Sequence, residues 1–281
     1  EAGAKAEALK GNAPAYCPPS GVPLDSAAAG EAAISALKTK LQWTAQDDVE
    51  SQNSGWTLLR YAVLSNDVLA AKTLLDPTKL ASMSPSQRQR YIDSPLKKQK
   101  GEFIFVKGQI TIIDAMAWAG PEMIKLLLDA GASEMKKNHL MLDPLMSACA
   151  TGRHENIDAW FDLKPGWDMN KRRSNLGLQS LHYGLFMATT PFLRPTAETL
   201  IKHGADLGVV TQSGRTSLHS LCMNEDCEPK LLDDLLDSML QKNPLDYPQY
   251  PHGKFKILEG IASFIYKRGK RGNLIEHLVL I

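Results

Sequence analysis

Seven His and four Cys are the side chains of this 281-residue chain best suited to hold a metal ion or to attack a substrate. Their spacing supports neither use. No Cys/His set shows the short paired steps of a zinc site. No Ser-His-Asp order, phosphate-cradling Gly loop or paired-carboxylate motif stands out, and "GKRG" at 269–272 lacks the spacing of a P-loop. The acids an active site could gather, Asp93, Glu102 and Asp114, are few. The expectation is a non-enzyme with no catalytic residue, no cofactor and no metal. The histidines do show recurrence: His182 lies in "QSLHYGL" and His219 in "TSLHSLC", each at the fourth place.

Bulk composition narrows the classes further. With 43% hydrophobic residues the chain can bury a sizeable core. A formal net charge of +1 gives no field to draw it to nucleic acid or to a membrane surface. No apolar run is long enough to cross a bilayer. Four Cys are too few for a disulfide-built scaffold, although the even number permits a bridge or two.

The recurring phrase is carried by a larger unit. Related phrases begin at Thr57 ("TLLRYAV"), Thr111 ("TIIDAMA"), Asp143 ("DPLMSAC"), Gln179 and Thr216, in steps of 54, 32, 36 and 37 residues. Each precedes a second apolar run with helical spacing: "AAKTLLD", "MIKLLLDAGAS", "NIDAWFD", "TAETLIKHGAD" and "KLLDDLLDS". Each unit therefore reads as helix, tight turn, helix and exit, near 57–76, 111–130, 143–162, 179–203 and 216–238. Such a unit cannot bury its apolar face alone and must stack on its neighbours. Gly120 and Gly152 stand at the inter-helix turns of the second and third units, and Asn66 stands there in the first.

The phrase and its "GA" exits, at Gly131-Ala132 and Gly204-Ala205, resemble the ankyrin repeat, whose pattern opens Thr-Pro-Leu-His-x-Ala. The resemblance implies an all-α ankyrin-repeat solenoid of about five to six repeats, covering 51–281. It carries an insertion at 77–108 and a worn last repeat at 253–281. It implies structural roles for Thr216 at a helix start, for His182 and His219 in tying hairpin turns, and for Gly131 and Gly204 in left-handed helix exits. The departures are Arg60 and Asp114 at the His place, Gly184 at an Ala place and the extra "MATTPFLRP" at 187–195. Cys149 and Cys222 stand at the second Ala place, as small buried thiols do. Cys227 follows five residues after Cys222, which leaves a local bridge open.

The flanks read differently. Residues 1–25, rich in Gly, Pro and Ala, are expected to be mobile. A capping helix is expected within 26–50, opened by Asp25 or Ser26, with Ile34, Leu37 and Leu41 on one face. Within the insertion, a short helix is expected from Ser84 and two short strands around Lys107-Gly108. "YKRGKRG" at 266–272 reads as a solvated helix end.

In ankyrin-like arrays the hairpin tips and the two places after the Ala pair make a concave binding surface. The resemblance therefore implies a partner-binding set: Trp56, Ile110, Leu178 and Arg215 at tips, and Leu64, Trp118, Phe186, Met187 and Met223 on helices. Aromatic and Met residues are favoured interface anchors. The function implied is protein binding, with a monomer expected when free, no nucleic acid and no transmembrane segment. The lead phrase "YCPPSGV" is similar to one near the mature start of some periplasmic immunity proteins. That likeness implies a periplasmic antitoxin against a secreted phospholipase effector, of the kind delivered by type VI secretion. Two alternatives stay open: a bacterial ankyrin effector, in a cytoplasm, that binds a host protein, and an enzyme with its site at the insertion.

Overall fold

A computed structural model of the protein describes residues 26–97, 106–171, 174, 176–212 and 215–242. The N-terminal lead with Cys17, most of the proposed hairpin with Glu102, the 253–281 unit and "YKRGKRG" lie outside the described residues. The described chain is all-helical. Among the described residues there is no strand, only an isolated bridge between Val210 and Thr216.

Local chemistry explains where the helices begin and end. Helix α1 (Ala27–Leu41) is rich in Ala, the best helix former, and Ser26 caps it by accepting the Ala29 N–H at 3.1 Å. Helix α2 (Ala45–Ser54) is polar almost all round, so apolar periodicity does not reveal it. A capping box between Thr44 and Asp47 starts it, and Gly55 at φ 84° ends it. Helices α3 (Leu58–Leu64) and α4 (Val68–Leu74) form the first pair, capped by Thr57 and Asp67. The insertion supplies α5 (Pro77–Ala81) and α6 (Pro85–Asp93), the latter opened by a Ser84–Gln87 capping box. Around Lys107-Gly108 the described backbone is a turn, with Gly108 at φ 78°, where strands are expected.

The remaining pairs follow: α7 (Thr111–Trp118) with α8 (Pro121–Asp129), α9 (Pro144–Ala150) with α10 (His154–Leu163), α11 (Ser180–Met187) with α12 (Leu193–Lys202), and α13 (Ser217–Met223) with α14 (Pro229–Lys242). All five agree with the ranges read from the recurring phrases. Asn66 and Gly152 take positive φ at their inter-helix turns, 51° and 72°. Gly120 does not: at φ −107° it caps α8, and its N–H donates to Asn66 Oδ1 at 3.0 Å.

The chain forms two compact units. Unit 1 runs to Ala148 and includes Asp158–Pro165; unit 2 holds Cys149–Ile157 and the chain from Gly166. In unit 1, α3 packs on α4 and α7, α4 on α8, and α1 on α4. At the α1–α4 contact a Cβ on Gly30 would lie 2.0 Å from Thr73 Oγ1, so only glycine permits that approach. In unit 2, α11 packs on α12 and α13, and α13 on α14. Gly184, the departure at an Ala place, sits where a Cβ would meet Thr196 and Leu200 at 3.0 and 3.2 Å. An alanine there would require the Thr196 and Leu200 side chains to give way by a few tenths of an ångström.

Candidate protein-binding surface

The fourth place of the phrase builds a different device in each unit. In unit 2 the rings of His182 and His219 are buried. Each Nδ1 accepts the backbone N–H three residues back, Gln179 at 3.3 Å and Thr216 at 3.2 Å. The Thr216 hydroxyl lies 2.9 Å from the same ring nitrogen. That nitrogen must be unprotonated to accept. Burial, with a further push from Arg215, lowers the His219 pKa to about 4. In unit 1, Arg60 and Asp114 are both fully buried, and Nε lies 3.3 Å from Oδ2. Arg60 Nη2 also donates to the carbonyls of Ser94 (2.7 Å) and Gln109 (2.9 Å) at the far end of the insertion. Burial pulls the Arg60 pKa down while Asp114 pushes it up.

Three expected anchors of unit 1 are buried. Segment 94–97 lies on the backbone beside Trp56: Lys97 N–H donates to Ser54 O at 3.1 Å, and a Cβ on Gly55 would meet Pro95 O at 2.4 Å. The Trp56 ring stacks at 5.7 Å on Tyr61, with the Arg60 guanidinium 5.8 Å over it. Trp56 is only 5% exposed, and Leu64 and Ile110 are buried too. These three are core residues of unit 1, not surface anchors. Segment 94–97 thus reaches the backbone just before Trp56, an approach from elsewhere in the chain that sequence spacing cannot report. Trp118, Leu178, Arg215 and Met223 are half-buried. Phe186 and Met187 are exposed, at 42% and 45%.

Phe192, which the sequence reading did not select, is 44% exposed. It lies just before α12, at the other end of the α11–α12 connection from Phe186 and Met187, which close α11. The loop before α14 braces that connection. Asn224, buried rather than surface-facing, donates to Leu185 O at 3.0 Å and Ala188 O at 2.7 Å. Asp226 Oδ2 accepts the Thr190 N–H at 2.8 Å.

A second recurrence escaped the sequence phrases. At Asn138, Ser174 and Thr211 the backbone N–H donates to the carbonyl four residues on, at 3.1, 2.8 and 2.8 Å. At all three, the side-chain oxygen accepts the N–H of that fourth residue, at 3.1, 3.3 and 3.2 Å. Asn, Ser and Thr share this turn-closing chemistry, so the signal is a residue class rather than a letter. These hairpins carry exposed apolar tips, Leu140 and Met141 on one and Leu176 (68% exposed) on another.

Asp93 and Asp114 are each held by neighbouring polar groups. Asp93 is buried and accepts from Ser133 N–H (2.9 Å), Ser133 Oγ (2.7 Å) and Lys136 Nζ (2.7 Å). Asp114 is held by Arg60 and by the Gln109 amide. Among the described residues no three His, Cys, Asp or Glu side chains converge on a metal-sized site. Cys149, Cys222 and Cys227 are not disulfide-bonded, so the local bridge is not formed. Burial raises the pKa of the Cys222 thiol, with a smaller push from Cys227. Among the described residues no helix is long and apolar enough to cross a membrane. Comparison with protein-family models and with curated proteins finds no match to this chain.

Proposed function

We propose that this protein is a non-enzymatic binding module, an ankyrin-like array of helix pairs whose partner is another protein. One observation carries the reading: Phe186 and Met187 at the end of α11 and Phe192 just before α12 are all exposed, at the two ends of a connection that Asn224 and Asp226 hold in place. Large apolar side chains flanking a braced loop lose little freedom on docking, which is what an interface anchor requires. Leu176 on its hairpin tip and the half-exposed Met223 belong to the same docking set. The finer assignment, a periplasmic immunity protein that neutralises a secreted phospholipase effector, rests on the "YCPPSGV" phrase at 16–22.

The test is quantitative capture from the native cell with wild-type bait and a Phe186→Ser/Met187→Ser variant. The expected result is a stoichiometric partner on the wild type. The variant should bind it about thirtyfold or more weakly, the scale of one interface hot spot, at an unchanged melting temperature. Equal retention of the partner by both baits would overturn the docking surface. A phospholipase among the retained proteins, inhibited by wild type in vitro, would support the immunity assignment; a retained partner without such activity would refute it.

A further inference from the structure

A cleft of about 910 Å³ opens in unit 1 between helices α1–α2 and the insertion helices α5–α6. Its size lies within the range of ligand sites, roughly 300–1,000 Å³. Ile34, Trp43, Leu58 and Tyr91 give it apolar walls. The charge on those walls is unbalanced. Four cations line the cleft, Lys38, Lys79, Arg90 and Lys97, against two acids, Glu31 and Asp48. Both acids are engaged: Glu31 pairs with Lys79 at 3.0 Å, and Asp48 accepts the Trp43 indole N–H at 2.8 Å. Among the described residues no carboxylate pairs with Lys38, Arg90 or Lys97, and Arg90 reaches only the Gln52 carbonyl, at 3.3 Å.

We infer that this cleft binds an acidic peptide segment of a partner, with an apolar residue between its carboxylates. Lys38, Arg90 and Lys97, which pair with no carboxylate among the described residues, come from three separate segments of the wall: α1, α6 and the segment after α6. A phosphate needs converging donors; carboxylates strung along a chain do not. Gln52, Asn53 and Gln87 supply amides for the peptide backbone, and Trp43 with Tyr91 offers an apolar seat. The site is separate from the α11–α12 connection and stands or falls without it.

The experiment is fluorescence anisotropy of the full chain with two labelled hexapeptide pools. In one, Asp and Glu flank a single Leu, Met or Phe; in the other, Lys and Arg replace the acids. The acidic pool should bind, more weakly as salt is raised, and the basic pool should not. Lys38→Glu/Arg90→Glu should weaken acidic binding by about tenfold or more, as loss of two charge-assisted contacts implies. Lys38→Gln/Arg90→Gln, which introduces no new charge, should weaken it less. Arg90 is exposed and Lys38 half-buried, and neither pairs with a carboxylate among the described residues, so the melting temperature should hold. Equal binding of both pools, or acidic binding untouched in both variants, overturns the inference. Displacement of the acidic pool by millimolar inorganic phosphate as readily as by unlabelled peptide also overturns it, in favour of a small-anion site.

Discussion

The two units answer the same structural need with opposite strategies. In unit 2 the fourth place of each phrase holds a histidine that caps its own helix, a bond closed within four residues. In the first two phrases of unit 1 the same place holds Arg60 and Asp114, which pair with each other across successive helix pairs, and Arg60 also holds Ser94 in the insertion and Gln109 just after it. The helix exits differ in the same way. At Gly204-Ala205-Asp206 a single Asn170 donates to Gly204 O and accepts from Asp206 N–H, at 2.9 and 3.0 Å. At Gly131-Ala132-Ser133 the equivalent backbone groups are held from the insertion: Gln89 donates to Gly131 O at 3.0 Å and Asp93 accepts from Ser133 N–H at 2.9 Å. At Arg60 and Asp114, and at the Gly131 exit, a departure from the repeating pattern thus coincides with a long-range partner.

The sharpest way to break this comparison is Asp114→Ala. It strands a fully buried guanidinium and should cost about 3–5 kcal/mol in chemical denaturation. Arg60→Met/Asp114→Leu, which removes both charges, should recover much of that loss. A single variant no less stable than wild type would show that the pair is not a clamp.

Equivalent eighth places offer the next contrast. Leu64→Ala should destabilise by about 2–5 kcal/mol, as a buried truncation does. Phe186→Ala should change stability by no more than about 1 kcal/mol, since its side chain is exposed. Equal losses in thermal melts would erase the distinction between buried and displayed places.

Acid should act on unit 2 through His219. Its pKa of about 4 in the folded protein lies below the ordinary 6.5. Between those values the unfolded chain binds a proton that the folded one does not. Stability should therefore be full above about pH 6.5 and fall as pH drops towards 4, by at most about 3 kcal/mol. His219→Gln should flatten that part of the stability profile. A His219→Gln profile as steep as wild type would place the acid sensitivity elsewhere.

The two exits give the smallest effect. Asp93→Ala removes a buried acceptor of several bonds and should cost about 2 kcal/mol; Asn170→Ala, at a more exposed site, should cost about 1 kcal/mol. Hydrogen exchange at Ser133 and Asp206 would show whether each loss stays at its own exit.

Legibility followed the range of the forces. Five helix pairs were readable because apolar spacing repeats within each run, and the exits were readable because Gly131 and Gly204 take φ of 96° and 87°. Helix α2 was not, because its polar sequence leaves only a capping box as signal. The closing turns at Asn138, Ser174 and Thr211 were hidden because different letters perform one acceptor role. At the candidate surface, Phe186 and Met187 were placed by spacing, whereas Phe192 and the bracing role of Asn224 were not.

What the sequence determined by itself is where each helix starts, turns and stops, since caps, backbone conformation and periodicity act over about four residues. What only the tertiary structure decided is which apolar residues face solvent. Trp56 and Phe186 look alike as letters in a repeating frame. One is buried against Tyr61 and the Arg60 guanidinium, the other is exposed at the end of α11, and the segment that reaches the backbone beside Trp56 lies about forty residues further along the chain, an arrival no local pattern encodes.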